Sequence, residues 1–251
     1  MYPVLFHIGK FPISTFGLMM ATAFLVGSWI TARRMKEVGL DPDLATTLLV
    51  YVMLGGIAGS KLYFAIDTSI REEDQSFTDL LFSRSGITWY GGLILGTVVG
   101  AIGARIHGVS VVQMMNCIAP AVAVGQAIGR VGCFLVGDDY GEPSDLPWAV
   151  AFPEGSPPTN PGVRVHPTQI YEVLWLLPVA FVLWKRRDRS PFLFGEYLVA
   201  NGLGRLVIET LRVNPKVLGG LTEPQIVGLA LIVGGSAAWL YFRTRETPVT
   251  A

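Results

Sequence analysis

Apolar residues arrive in long blocks along the chain, and polar ones gather in the stretches between them. A bilayer core of about 30 Å takes about 20 mostly apolar helical residues. Segments at 14–32, 44–67, 88–106, 110–129, 168–184, 193–211 and 223–242 meet that length. The pattern predicts an all-α integral membrane protein, with seven transmembrane helices forming one membrane domain over residues 1–251. Tight connections carry the expected breakers, such as Gly39-Leu40-Asp41-Pro42 after the first span and Gly108 after the third. The longest interruption, 137–167, holds PSDLPW and PPTNPG. It reads as an extracytoplasmic (periplasmic) insertion between spans four and five, either a small folded head or a lid.

Lys and Arg positions set the orientation, because short cytoplasmic loops collect them. Arg33, Arg34 and Lys36, then Arg105, then Lys185, Arg186, Arg187 and Arg189, then Arg243 and Arg245 all follow odd-numbered spans, and together they are ten of the 19 basic residues. The opposite side holds the acidic run REEDQSFTD at 71–79 and the 137–167 insertion. The N-terminus is therefore expected outside and the C-terminus inside. The opening MYPVLFHIGKFPIST lacks a basic n-region and a small-residue cleavage site, so no processing is expected.

Composition agrees with a membrane chain, since 51% of residues are hydrophobic and 15% charged, against about 25% charged in soluble domains. Zero net charge gives no ground for a nucleic-acid partner. Cys117 and Cys133 cannot build a disulfide framework. On a helix, 16 residues at about 1.5 Å each hold them roughly 24 Å apart, so two thiols outside any disulfide are expected.

Ionisable residues within spans are costly and generally face a polar interior. Lys61, Arg130, Arg205 and Glu209 are of this kind, and the predicted topology puts all four in the outer leaflet. Tyr90, in 89-WYGGLILG-96, and Phe16, near the start of span one, fall at the same level. Gly55-Gly56, Gly59-Ser60, Gly91-Gly92 and Gly202-x-Gly204 let helices approach closely around them. Arg205 and Glu209 stand at i,i+4 and read either as an intrahelical pair alone or as a pair that also serves a site. Lys61 reads equally as a site cation or as a side chain snorkelling to the interface. Arg130, among glycines 125, 129 and 132, favours phosphate: open backbone N–H groups and a forked guanidinium suit an oxyanion. His7 and His107 read as interfacial and turn residues. No His/Cys/Asp grouping has metal-ligand spacing. His166, in 164-RVHPTQIYE-172, reads as an anchor for the start of span five rather than a ligand.

The stretch 129-GRVGCFLVGDDYG-141, with 147-PWAVAFP-153 and 165-VHPTQIYE-172, resembles the signature region of bacterial prolipoprotein diacylglyceryl transferases. Further matches are 55-GGIAGSKLYF-64, 86-GITWYGGLILG-96 and 201-NGLGRLVIETLR-212, in the family's order over nearly the whole chain. The resemblance implies an enzyme of the bacterial inner membrane that needs no cofactor. It moves the diacylglyceryl group of phosphatidylglycerol onto the lipobox cysteine thiol of a preprolipoprotein signal peptide, releasing glycerol-1-phosphate. By position, Arg130 and Arg205 match the family's two essential arginines, Glu209 its following acid and Gly141 its glycine, while Asp138 stands where the family has Glu. Tyr90 occupies the place of a His in a His-Gly-Gly motif, ahead of Gly91 and Gly92. Cys133 and Val136 replace two Asn, and Asn201 stands where a Tyr often precedes the arginine.

Displacement at a glyceryl carbon by sulfur builds charge on the departing phosphate, which two arginines can stabilise. The same cations lower the pKa of an incoming thiol from about 8.5. Tyr90, with an ordinary pKa near 10, suits a hydrogen-bond donor better than a general base. The expected catalytic residues are Arg130, Arg205 and Tyr90. The expected substrate-binding residues are Glu209, Asp138, Gly141, Cys133, Asn201, Lys61, Phe16, Gly91, Gly92 and His166. Tyr90 and Cys133 also motivate the alternatives of a diverged paralogue with another acceptor, or an inactive phospholipid-binding protein. A transporter fits less well, because neither inverted repeats nor midplane broken helices are visible.

Overall fold

In the computed structural model, residues 3–9, 11–71, 76–83, 86 and 88–245 are described. Residues 72–75 of the acidic run therefore lie outside the described part. A helix stands at each of the seven positions expected from the apolar blocks. These are α1 (Thr15–Glu37), α2 (Asp43–Arg71), α4 (Trp89–Ile106), α5 (Val111–Val136), α6 (Thr168–Arg186), α7 (Leu193–Ile208) and α8 (Glu223–Arg245), with a short α3 (Phe77–Phe82) between α2 and α4. Four of them, α1, α2, α5 and α8, are long and apolar enough to cross a membrane, and α4 contributes a shorter apolar stretch. At 1.5 Å per residue α7 rises only about 24 Å, because its last turn tightens into a 3-10 turn at Glu209–Leu211. Two small hairpins depart from an all-helical chain: β1 (Val4–Ile8) with β2 (Phe11–Ser14), and β3 (Lys216–Leu218) with β4 (Leu221–Thr222).

The chain divides into two compact units, Met1–Ile30 with Met115–Ala251, and Thr31–Met114. In the first, α1 lies antiparallel to α5. Ala121 faces Gly27, Ala23 faces Gly125, and Met19 and Phe16 face Gly132. Next, α7 packs on α8 through facing glycines, Gly202 against Gly228 and Gly195 against Gly235. Ala119, Ala123, Ala180, Leu183, Leu193 and Tyr197 form a buried core joining α5, α6 and α7. Trp175 of α6 donates its indole N–H to the Ala200 carbonyl at 2.9 Å, and Gly204 leaves room for that indole.

In the second unit α2 and α4 are in backbone contact. A Cβ at Gly59 would run into the Gly91 carbonyl, and one at Gly92 into the Ser60 hydroxyl. Close approach of this kind is how apolar helices associate without a hydrophobic gradient between them.

Helix ends follow the sequence signals. Ser14 Oγ accepts from the Gly17 N–H at 2.9 Å to cap α1. At the other end Gly39 is left-handed (φ 76°) and the Leu40 N–H reaches the Met35 carbonyl at 2.9 Å, a Schellman closure. Gly108 closes α4 in the same way. Gly137 (φ 78°) closes α5, with the Asp138 N–H on the Cys133 carbonyl at 3.1 Å.

The 137–167 insertion is folded. Val150 and Val165 exchange two backbone hydrogen bonds, at 2.9 and 3.1 Å. Phe152 is fully buried, stacked on Tyr140 and edge-on to Phe134.

Candidate active site

The Schellman turn at Gly137 fixes where the chain goes after α5. It delivers Asp138 and Asp139 against the start of α6, where Gln169 donates to the Asp138 carbonyl at 2.5 Å and Thr168 to the Asp139 carbonyl at 2.9 Å. Both donors are fully buried. Asp139 is held at φ 63°, in the left-handed region that side chains other than Asn and Asp rarely adopt.

Around this turn three guanidiniums meet three carboxylates. Arg130 Nε lies 2.7 Å from Glu172 Oε2, and its Nη1 lies 2.5 Å from Asp139 Oδ2. Arg205 Nη1 approaches Glu172 Oε1 at 3.5 Å, and Arg212 Nη1 approaches the same oxygen at 3.6 Å. Arg212 Nη2 also contacts Asp139 Oδ1. Behind it, Glu209 is buried, 3.9 Å from Arg212 Nε, and takes hydrogen bonds from Asn214 at 2.6 Å and Thr222 at 2.9 Å. Glu172 thus gathers arginines from three places in the chain, and Asp139 bridges two of them from the more open side. Charge-assisted contacts of this sort are the strong ones, and each buried carboxylate is matched by cations.

The two aspartates are tuned in opposite directions. Burial would raise Asp139, but Arg212 and Arg130 outweigh it and hold its carboxyl below the ordinary value. Asp138 is raised, chiefly by burial. Its Oδ1 lacks a hydrogen-bond partner among the described residues.

Of the four ionisable residues expected together, Arg130, Arg205 and Glu209 meet here, with Asp138 beside them at the Gly137 turn, and three local expectations change. Arg205 and Glu209 do not pair at i,i+4. The helix tightens at Glu209, so Arg205 turns to Glu172 and Glu209 to Arg212, Asn214 and Thr222. Arg130 lies inside α5, which continues to Val136, rather than at its outer end. Finally, the glycines at 125, 129 and 132 do not open backbone N–H groups to a ligand. They sit within the helix, whose N–H groups bond i→i−4, and they make room for α1.

Cys133, one turn after Arg130, places Sγ 3.9 Å from Arg130 Nη1. Phe16 packs at Gly132 beside it. Gly141 is buried where a side chain would strike the Leu211 carbonyl, Thr168 and His166, and its N–H donates to the His166 carbonyl at 2.9 Å. His166 lies 3.2 Å from the Tyr171 hydroxyl, which in turn accepts from Trp148 at 2.8 Å. The ring therefore braces the start of α6. Asn201 donates to Gln126 at 2.9 Å and to Tyr197 at 2.8 Å, a polar link between α5 and α7 next to a small cleft that also touches Glu172 and Arg205.

Lys61, Tyr90, Gly91 and Gly92 belong to the second unit. Lys61 donates to the Ser83 carbonyl at 2.5 Å and lies 5.8 Å from the Phe64 ring centre. Gly91 and Gly92 face α2, and Tyr90 stands half-exposed in the first turn of α4. No cluster of potential metal ligands occurs among the described residues, and no disulfide joins Cys117 and Cys133.

Asp139, Glu172 and Arg212 escaped the sequence reading as site residues. Arg212 lies in extended backbone past the 3-10 turn, where helical spacing from Arg205 no longer applies, so the local pattern did not mark it. Glu172, in 165-VHPTQIYE-172, had no apparent partner in the neighbouring sequence.

Comparison with known proteins gives the same direction. The family model for prolipoprotein diacylglyceryl transferase matches residues 3–241. A Trichormus variabilis protein named phosphatidylglycerol–prolipoprotein diacylglyceryl transferase is 34% identical over 259 residues, covering 98% of this chain and 92% of its own length. Proteins of the same name from Synechocystis sp. and Clostridium tetani are 31% and 32% identical, covering 98% and 94% of this chain and 92% and 95% of their own. With an arginine-rich site built on apolar helices and a family match over nearly its whole length, the chain belongs to the prolipoprotein diacylglyceryl transferases.

Proposed function

We infer that this membrane protein transfers the diacylglyceryl group of phosphatidylglycerol to prolipoprotein, the first step of lipoprotein maturation. The acceptor is the lipobox cysteine of the signal peptide. Its sulfur attacks the glyceryl carbon, a C–S bond forms as the C–O bond to phosphate breaks, and glycerol-1-phosphate leaves with one more negative charge while the thiol gives up its proton. The observation that carries this reading is the convergence of Arg130, Arg205 and Arg212 on Glu172. A preorganised set of guanidiniums stabilises charge developing on a leaving phosphate and costs no reorganisation when it develops. Arg130 and Arg205 act as the catalytic cations, and Glu172 holds them in place. Tyr90 serves as a hydrogen-bond donor to the lipid.

The protein resides in the bacterial inner membrane with seven spans, N-terminus out and C-terminus in. The 137–167 insertion forms a periplasmic head above a site that opens to the outer leaflet. The test is thioether formation, measured by mass spectrometry, from purified protein, phosphatidylglycerol and a lipobox peptide. Wild type should yield the product, and Arg130→Gln should reduce it at least a hundredfold, about 2.7 kcal/mol of lost transition-state stabilisation. Wild type that binds the lipid but gives no thioether would instead point to a diverged lipid-binding relative.

A further inference from the structure

The two carboxylates that face Arg130 differ in how firmly they are held. Glu172 has a side-chain exposure of 8% and both of its oxygens are engaged by arginines. Asp139 is 41% exposed, and each oxygen meets one guanidinium, Oδ2 with Arg130 and Oδ1 with Arg212. Phosphate oxygens are bound by the same charge-assisted guanidinium N–H donors that hold a carboxylate. The backbone beneath Asp139 is locked, because Thr168 and Gln169 hold the carbonyls of residues 139 and 138. The side chain can therefore leave its two arginines by rotating toward solvent while the turn stays in place.

We propose that the Asp139 carboxylate is a built-in competitor for the lipid phosphate, holding the position between Arg130 and Arg212 that phosphate oxygens take and swinging aside when they bind. This rests on the transferase reading above. Asp139 then sets how tightly the enzyme holds its anionic lipid. It keeps the two guanidiniums oriented and matched in charge, and it makes the lipid displace an internal anion in order to bind. Glycerol-1-phosphate leaves against the same competitor, which speeds clearance of the product.

Two measurements on the full-length protein test this. The first is the initial rate of thioether formation against the mole fraction of phosphatidylglycerol in mixed micelles. The second is the unfolding temperature against added inorganic phosphate. Asp139→Asn keeps a residue that tolerates the left-handed backbone and removes the competing charge. It should lower KM for the lipid about tenfold, the equivalent of one competing charge-assisted contact, and lower the phosphate concentration that stabilises the protein. A KM that is unchanged or raised overturns the proposal, since a merely structural Asp139 would weaken binding when altered. A response to inorganic phosphate with no change in KM for the lipid overturns the assignment to the headgroup and leaves a free-phosphate site. If wild type makes no thioether, the transferase reading fails, and the phosphate titration still decides whether Asp139 competes. Asp139→Gly, suited to φ 63°, replaces the Asn variant if that protein does not fold.

Discussion

Glu172→Gln is the sharpest perturbation of the site, because it keeps the shape of the side chain and removes only its charge. The carboxylate is 2.7 Å from Arg130 and 3.5 and 3.6 Å from Arg205 and Arg212, with side-chain exposures of 8% for Glu172 and 12% for Arg130. Removing one partner of a buried pair costs about 3–5 kcal/mol, because the other charge is left uncompensated. The amide oxygen of Gln still accepts one bond from a guanidinium, worth about 1.5 kcal/mol or more. That leaves a loss of about 1.5–3.5 kcal/mol, and at about 2–4 °C per kcal/mol for a chain of this size Tm should fall by about 3–14 °C. Unfolding in detergent can be followed with a thiol-reactive dye, since Cys117 is only 2% exposed in the fold. Glu172→Asp, which keeps the charge but is a methylene too short for the 2.7 Å contact, should fall between the two. Adding Arg205→Gln to Glu172→Gln should cost less than the sum of the single changes, because the two side chains share a contact. A Glu172→Gln protein melting within about 1 °C of wild type, when at least about 3 °C is expected, would mean that this carboxylate's charge does not hold the arginines.

Three further outcomes are expected. Tyr90→Phe should slow thioether formation about ten- to a hundredfold, the value of one hydrogen bond to a charged group; unaltered turnover would remove Tyr90 from the catalytic residues. Gly59→Ala should lower Tm, because the added carbon meets the Gly91 carbonyl and comes within 2.5 Å of Leu95 Cβ, whereas Gly234→Ala, with nothing within 4 Å, should be neutral or mildly stabilising. Equal effects of the two would contradict the close α2–α4 packing. As for pH, Asp139 has its carboxyl lowered from 3.8, so its contribution to stability is complete above that value and is lost as pH falls through the lower folded value. Asp138 is shifted the other way and loses its contribution as pH rises from 3.8 toward its raised value. Chemical unfolding between pH 7 and 3 should therefore show a smaller acid loss for Asp139→Asn than for wild type, and superimposable profiles would count against the ion pairs drawn here.

All seven helix positions were legible in the apolar blocks, because long hydrophobic runs with few charges have one economical structure in lipid. The glycine breakers were equally readable, and Gly39 and Gly108 end their helices with positive φ. Arg130 and Arg205 announced themselves as charges within apolar helices. Their partners did not. Asp139 and Arg212 contact each other across 73 residues, and both lie in connections whose path is set by a Schellman turn and a 3-10 turn. Local spacing suggested that Arg205 and Glu209 belong together, and the tightening of the helix by one turn separated them. The hairpins at β1–β2 and β3–β4 have strands of two to five residues, too short for alternation to be distinctive.

The sharing of Glu172 by three arginines has a consequence for how the protein is made. Ribosomes deliver α5 before α6, so Arg130 emerges with Asp139 only nine residues behind it, while Glu172, its more buried partner, is still 42 residues away. A lone guanidinium in an apolar helix is costly in hydrocarbon and a paired one less so, and until Glu172 is made Asp139 is the anion at hand for Arg130. Arg205 and Arg212 come later still and complete a cluster whose first ion pair already exists. On this account translation order helps sort the arginines among the carboxylates, and a chain with α6 moved ahead of α5 would contain every contact residue yet assemble along a different route.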